Sequence, residues 1–178
     1  QHSLCNADQN IGIGRASQYD LRKGVGNISI GATSQTKLIE GSYNIGLGTD
    51  TMHNAIKGSN NIAIGYDALH DNKYGNNNVS VGHMSGYDPD NFSATNVSNN
   101  TWIGSFTGVL NDKKIDNSIA IGYKAKNSKS NQVVIGNKNI KETNLYGIVS
   151  VEKLIFRNSQ NLDLLEELNS IKEKINYL

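Results

Sequence analysis

The 178-residue chain sets 17 Lys and Arg against 16 Asp and Glu for a net charge of +1, and 37% of its residues are hydrophobic and 7% aromatic. That balance offers no electrostatic footprint for nucleic acid or an anionic membrane, and no apolar run approaches the roughly 18 residues of a membrane span. With 18 Gly, 26 Asn, one Pro (Pro89) and a mean hydropathy of −0.48, the composition predicts many turns and short strands rather than one dense core.

Residues 1–9 read as an amino-terminal connector. The chain opens on Gln1 without a basic-then-apolar leader, as expected of a processed product or a fragment. The lone Cys5 has no intrachain disulfide partner.

Residues 10–140 read as a repeat array. The pattern Asn-[Ile/Val]-x-[Ile/Val/Leu]-Gly begins at Asn10, Asn27, Asn44, Asn61 and Asn78, always 17 residues apart, and ends at Gly14, Gly31, Gly48, Gly65 and Gly82. The register then loosens through Gly104, Gly122 and Gly136. A second glycine column (Gly24, Gly41, Gly58, Gly75) and a small residue three after each motif glycine (Ser17, Ser34, Thr51, Ala68, Ser85, Thr107, Ala125) share the period. Such self-similarity marks a solenoid.

Each motif puts two apolar residues on one face of a short strand. Parallel stacking piles Ile28, Ile45, Ile62 and Val79 into one column and Ile30, Leu47, Ile64 and Val81 into another, each buried side chain worth roughly 1.5–3 kcal/mol. The asparagines are expected to form an amide ladder and to tolerate left-handed geometry. The glycines suit a positive φ or a close backbone approach. A hexapeptide β-helix is disfavoured because segments such as Tyr66–Asn77 lack a branched aliphatic every six positions. One apolar pair per turn predicts a coil too lean to close a private core, and therefore an oligomer.

Residues 141–160 read as a neck with strands at Asn144–Val151 and Leu154–Phe156. Residues 161–178 read as a helix whose Leu164, Leu168, Ile171, Ile175 and Leu178 step by four and three, a short heptad seam for trimerisation.

Segments such as Asn61-Ile62-Ala63-Ile64-Gly65-Tyr66-Asp67-Ala68-Leu69 and Ser118-Ile119-Ala120-Ile121-Gly122-Tyr123-Lys124-Ala125 resemble the repeats of trimeric autotransporter adhesin heads, the YadA-like left-handed parallel β-roll. The tract Asn131–Asn137, continuing to Thr143–Gly147, is similar to segments of phage and virus tail fibres. The resemblance covers about residues 10–178 and implies a mainly-β homotrimer: a left-handed β-roll, a neck and a short parallel coiled coil. The 17-residue period is longer than that of typical adhesin heads and favours the viral or phage form. No carboxy-terminal membrane β-barrel is expected within these residues.

Catalytic chemistry is not discernible. Gly12-Ile13-Gly14 and Gly24-Val25-Gly26 mimic phosphate loops, but the repeat accounts for them and no strand–loop–helix unit follows. His53 and His70 fall one repeat apart and are expected to stack on one edge in a column with Tyr19, Thr36 and Tyr87; a structural metal there would need further converging ligands. His83 and His2 have no evident partner. No enzyme, cofactor or metal is expected.

Binding is the functional class that remains. The candidate receptor or glycan surface comprises Tyr66, His70, Tyr74 and Tyr87, whose rings offer flat faces, with Asp88, Asp90, Asn91 and Phe92 in an inserted 88–96 loop. Sequons occur at Asn27, Asn78, Asn91, Asn96 and Asn99. The structural repeat residues are Asn27, Gly31, Asn44, Gly48, Asn61, Gly65, Asn78 and Gly82. Together these predict an extracellular, non-enzymatic trimeric fibre or adhesin head for host or target-cell attachment, on a virion or cell surface, without membrane insertion by this chain. The alternatives are a bacterial adhesin head and a structural spacer.

Overall fold

A computed structural model describes residues 7–87, 96–110, 114–150 and 152. The chain divides into two units, Gln1–Lys141 and Glu142–Leu178. The first unit is a parallel β-solenoid of the β-roll kind. Its strands are β1 (Ala7–Asp8), β2 (Ile11–Ile13), β3 (Gly24–Val25), β4 (Ile28–Ile30), β5 (Ile45–Leu47), β6 (Ile62–Ile64), β7 (Val79–Val81), β8 (Thr101–Ile103), β9 (Gly108–Val109), β10 (Ile119–Ile121), β11 (Lys126–Asn127) and β12 (Val133–Ile135). The eight motif strands form one parallel sheet in the order β2-β4-β5-β6-β7-β8-β10-β12, so each coil pairs with the next in sequence. Ile28 sits opposite Ile45, Ile45 opposite Ile62 and Ile62 opposite Val79. Two short pairs, β1-β3 and β9-β11, add a second stacked edge.

The register is held by the asparagines. Asn44 donates through its backbone N and through Nδ2 to Asn27 Oδ1, both at 3.0 Å, and its own Oδ1 accepts from Asn61 N and Nδ2 at 3.0 and 3.1 Å. Each Nδ2 also donates to a glycine carbonyl one coil up: Asn27 to Gly41, Asn44 to Gly58 and Asn61 to Gly75, all at 2.8–2.9 Å. The second glycine column is required by close approach of the coils, since a Cβ at Gly24, Gly41 or Gly58 would run into the carbonyl oxygen of Gly41, Gly58 or Gly75. The ladder continues through Asn78 to Asn100 and ends on Ser118, whose backbone N bonds Asn100 Oδ1. Left-handed geometry falls elsewhere than expected: the residues preceding the motifs, Asn60, Asn77, Asn99, Asn117 and Asn131, have positive φ, not the ladder asparagines. The motif glycines meet both expectations. Gly48 has φ +132°, and a Cβ there would lie 2.7 Å from the Gly65 carbonyl oxygen.

The strand faces are inverted relative to a coil that packs its branched residues inward. The central strand residues Ser29, Ala63, Ser80, Trp102 and Ala120 are fully buried, while the Ile and Val on either side are half-buried or exposed. The coil is narrow: a Cβ at Gly46 would meet Ser34 Oγ at 2.5 Å and Thr51 Oγ1 at 2.8 Å. Those small residues close the interior through hydroxyl bonds such as Ser34 Oγ to Thr51 Oγ1 at 2.7 Å. Nor is the chain too lean for a core of its own. Leu21, Leu38, Met52, Leu69, Val97, Trp102 and Ile115 pack inside it, supplied by the segments between the motifs and by one strand centre. Trp102 fits at its strand centre because Gly86 faces it; a Cβ there would lie 2.6 Å from Trp102 Cε3. The indole Nε1 donates to Asn127 Oδ1 at 3.2 Å.

In the second unit, residues 142–150 and 152 are exposed and form no strand. The strand expected at Asn144–Val151 is therefore not formed over 144–150. The expected strand at Leu154–Phe156 and the seam residues Leu164, Leu168, Ile171, Ile175 and Leu178 lie outside the described residues.

Candidate functional site

The longest uniform feature of the first unit is the outer face of its sheet. The third strand residues Ile13, Ile30, Leu47, Ile64, Val81, Ile103, Ile121 and Ile135 form one unbroken apolar column, with Ile13, Ile30, Ile64, Ile103, Ile121 and Ile135 between 36% and 59% exposed. The first strand residues Ile11, Ile28, Ile45, Ile62 and Val79 run beside it, passing through Thr101 to Ile119 and Val133. An apolar stripe of this length is the kind of surface that marks an interaction face.

A second edge carries rings, and the structure sorts the predicted residues into separate ladders. His53 and His70 stack with centroids 5.2 Å apart and planes 7° from parallel, and Tyr87 lies 4.9 Å beyond His70. Tyr66 belongs to another ladder. It stacks on His83 at 5.5 Å, His83 meets Phe106 edge-on at 5.0 Å, and Phe106 meets Tyr123 at 6.0 Å with Lys124 over both rings. His83 therefore has two ring partners where none was evident. Phe106 and Tyr123 were missed, although both follow a motif glycine closely, as Tyr66 does. In the His53–His70 and Tyr66–His83 pairs each ring turns one face on its partner, and Tyr66 stays 47% exposed. Tyr74 is apart from both ladders, on an open cleft lined by Lys23, Glu40, Lys57, Ser42, Ser59 and Asn76. There Glu40 pairs with Lys57 at 3.1 Å and Lys23 at 3.7 Å, and the lysines hold its carboxyl below the usual carboxylate range.

Carboxylates surround the imidazoles. His53 Nδ1 is 3.3 Å from Asp50, while His70 lies 2.8 Å from Asp71 through Nδ1 and 3.9 Å from Asp67 through Nε2. Burial opposes the charge on His70, but the hydrogen bond and charge of Asp71, with Asp67 and Asp50 behind, leave its pKa raised. Burial raises the pKa of Asp67. Asp71 is also opposed by burial, yet its bonds from His70 and Asn54 lower it. These groups pair off rather than converge, and among the described residues no group of three or more His, Cys, Asp or Glu is placed to hold a metal ion.

Asp88, Asp90, Asn91 and Phe92 lie outside the described residues, as do Cys5 and His2. Asn27 and Asn78 are buried in the ladder, whereas Asn96 and Asn99 are exposed. No helix among the described residues is long and apolar enough to cross a membrane. No protein-family model, curated protein or solved structure matches the chain.

Proposed function

We propose that this chain is a non-enzymatic module of a homotrimeric attachment fibre, of the virus or phage kind, in which three copies bury their outer apolar columns against one another. The observation that carries the reading is the double Ile/Val column along the sheet. Moving one such residue from half-exposed to buried is worth roughly 1 kcal/mol, and the column repeats that gain at every coil. The number three comes from the resemblance to trimeric β-rolls. A trimer multiplies any weak surface contact, which suits attachment to a host or target cell outside the cytoplasm. A bacterial surface adhesin head would use the same assembly.

Light scattering behind size exclusion tests the assembly. The expected mass is three times the 19.4 kDa of the chain, falling to the single-chain mass in an Ile64→Lys, Ile103→Lys double variant. A wild-type chain that stays monomeric at tens of micromolar overturns the reading. One observation favours a second reading, a spacer that binds nothing: the paired ladder rings each spend one face on a partner. Retention on target cells by the intact trimer, reduced by Tyr123→Ala, supports attachment; its absence supports the spacer.

A further inference from the structure

Three consecutive coils bring Lys37, Asn54 and Asp71 into one file, each 17 residues after the last. Lys37 Nζ donates to Asn54 Oδ1 at 2.7 Å, and Asn54 Nδ2 donates to Asp71 Oδ1 at 2.6 Å. The same carboxylate oxygen accepts from His70 Nδ1 at 2.8 Å, and that nitrogen lies 3.5 Å from Asn54 Nδ2. All three members of the file line one cleft, with Ile56 and Lys73. A primary amine thus sits against a carboxamide, with an imidazole–carboxylate pair on the nitrogen that would leave.

We propose that Lys37 and Asn54 join in an intrachain isopeptide bond, with His70 and Asp71 relaying the proton. The carboxamide C=O is about 1.23 Å long, so Nζ lies within about 4 Å of Asn54 Cγ, and turning the exposed lysine about its last bonds carries it over the carbonyl plane. Neutral Nζ adds to Cγ, and Oδ1 takes up the charge. The exposed former amine gives one proton to solvent, the His70–Asp71 pair delivers one to Nδ2 and takes one back from solvent, the Cγ–Nδ2 bond breaks, and ammonia leaves. One amine and one primary amide become one secondary amide and ammonia, with the imidazole–carboxylate pair restored; no oxidant or further reactant enters. Holding both groups at contact distance replaces a bimolecular encounter with an intramolecular one. The amine must be neutral while the relay still holds a proton, so the rate follows a bell-shaped pH dependence. The bond covalently ties one coil to the next within a single chain, independently of assembly.

The test is mass spectrometry of the folded full-length chain, sampled over days of incubation across neutral to alkaline pH. Intact mass alone is ambiguous, because an amino-terminal glutamine and an asparagine succinimide each lose ammonia too. The diagnostic species is a proteolytic product in which the Lys37 and Asn54 peptides are joined and lighter by one ammonia. It is expected in wild type, absent from Lys37→Arg, which keeps the charge and a donor, and several-fold slower to form in His70→Gln, with far-ultraviolet circular dichroism confirming that each variant is folded. Recovery of Lys37 and Asn54 only in unlinked peptides from folded wild-type protein at every pH overturns the proposal. So does an unchanged rate in folded His70→Gln, for the relay.

Discussion

Removing the side chain of Asn44 tests whether the amide ladder, rather than the apolar columns, holds the coils in register. Asn44 is 1% exposed and its side chain makes four bonds: Nδ2 to Asn27 Oδ1 and to Gly58 O, and Oδ1 from Asn61 N and Nδ2. Asn44→Ala deletes all four and leaves the part-buried Gly58 carbonyl and the buried Asn61 backbone N–H without these partners. A lost bond costs about 1 kcal/mol net, and a buried group left unpaired costs about 1–3 kcal/mol, so the variant is expected to lose about 4 kcal/mol. Asn10 is the internal control, being part-buried at the end of the ladder, where its side chain makes three bonds among the described residues, with Gly24 O, Asn27 N and Asn27 Nδ2; with one bond fewer and all of them part-buried, Asn10→Ala is expected to cost about 2–3 kcal/mol. Urea unfolding at one fixed protein concentration measures both, with equal slopes required for comparison. A loss below about 1 kcal/mol for Asn44→Ala, or equal losses at the two sites, refutes a ladder whose strength comes from buried, fully satisfied amides.

Gly86→Ala is expected to destabilise by about 2–4 kcal/mol, through overpacking against Trp102 and a side chain forced to φ +68°; denaturant midpoints for it and for Gly86→Ala combined with Trp102→Leu should show partial rescue in the double variant. The His70 pKa is raised in the folded state, so its charge contributes stability that is fully present below the unfolded value, about 6.5, and is lost as pH rises through the folded value. The raised Asp67 pKa acts in the same direction, through a window that opens above the ordinary carboxylate value. Asp71, lowered, contributes above the ordinary carboxylate value and loses that contribution as pH falls through its folded one. Thermal melts should therefore show the chain more stable at about pH 5.5 than at about pH 8, and His70→Gln should flatten that difference.

Much of the fold was legible because a fixed period in sequence is a fixed neighbour in space. Seventeen residues is one coil, so the Asn27–Asn44–Asn61–Asn78 ladder and the His53–His70 stack follow from counting. Alternation within a strand says that Ile28 and Ile30 share a face, but not whether that face points in or out. The sign is set by volume: the interior has room for Ser29 or Ala63 and not for a branched chain, and this shows only when the hydroxyls of Ser34 and Thr51 close over Gly46. The Tyr66–His83 stack follows from the same count, since both rings come one residue after their glycines and 17 apart; only its continuation is hidden, because Phe106 comes two residues after its glycine. Of the His70–Asp71–Asn54–Lys37 cluster, Lys37, Asn54 and Asp71 share one column and follow from the count, whereas His70 belongs to the adjacent column, which the period does not relate to theirs.

The exchange of volume around Trp102 has a consequence for how such a chain changes length over generations. From Gly12 to Ser80 every strand centre is small, and successive coils meet through the same asparagine and glycine contacts, so a coil copied or deleted by unequal recombination leaves flanking coils that still fit. Trp102 with Gly86 cannot be moved singly, since each fills the space the other vacates. The amino-terminal coils are therefore the adjustable part of the molecule, and the tryptophan coil is the fixed junction from which its length is counted.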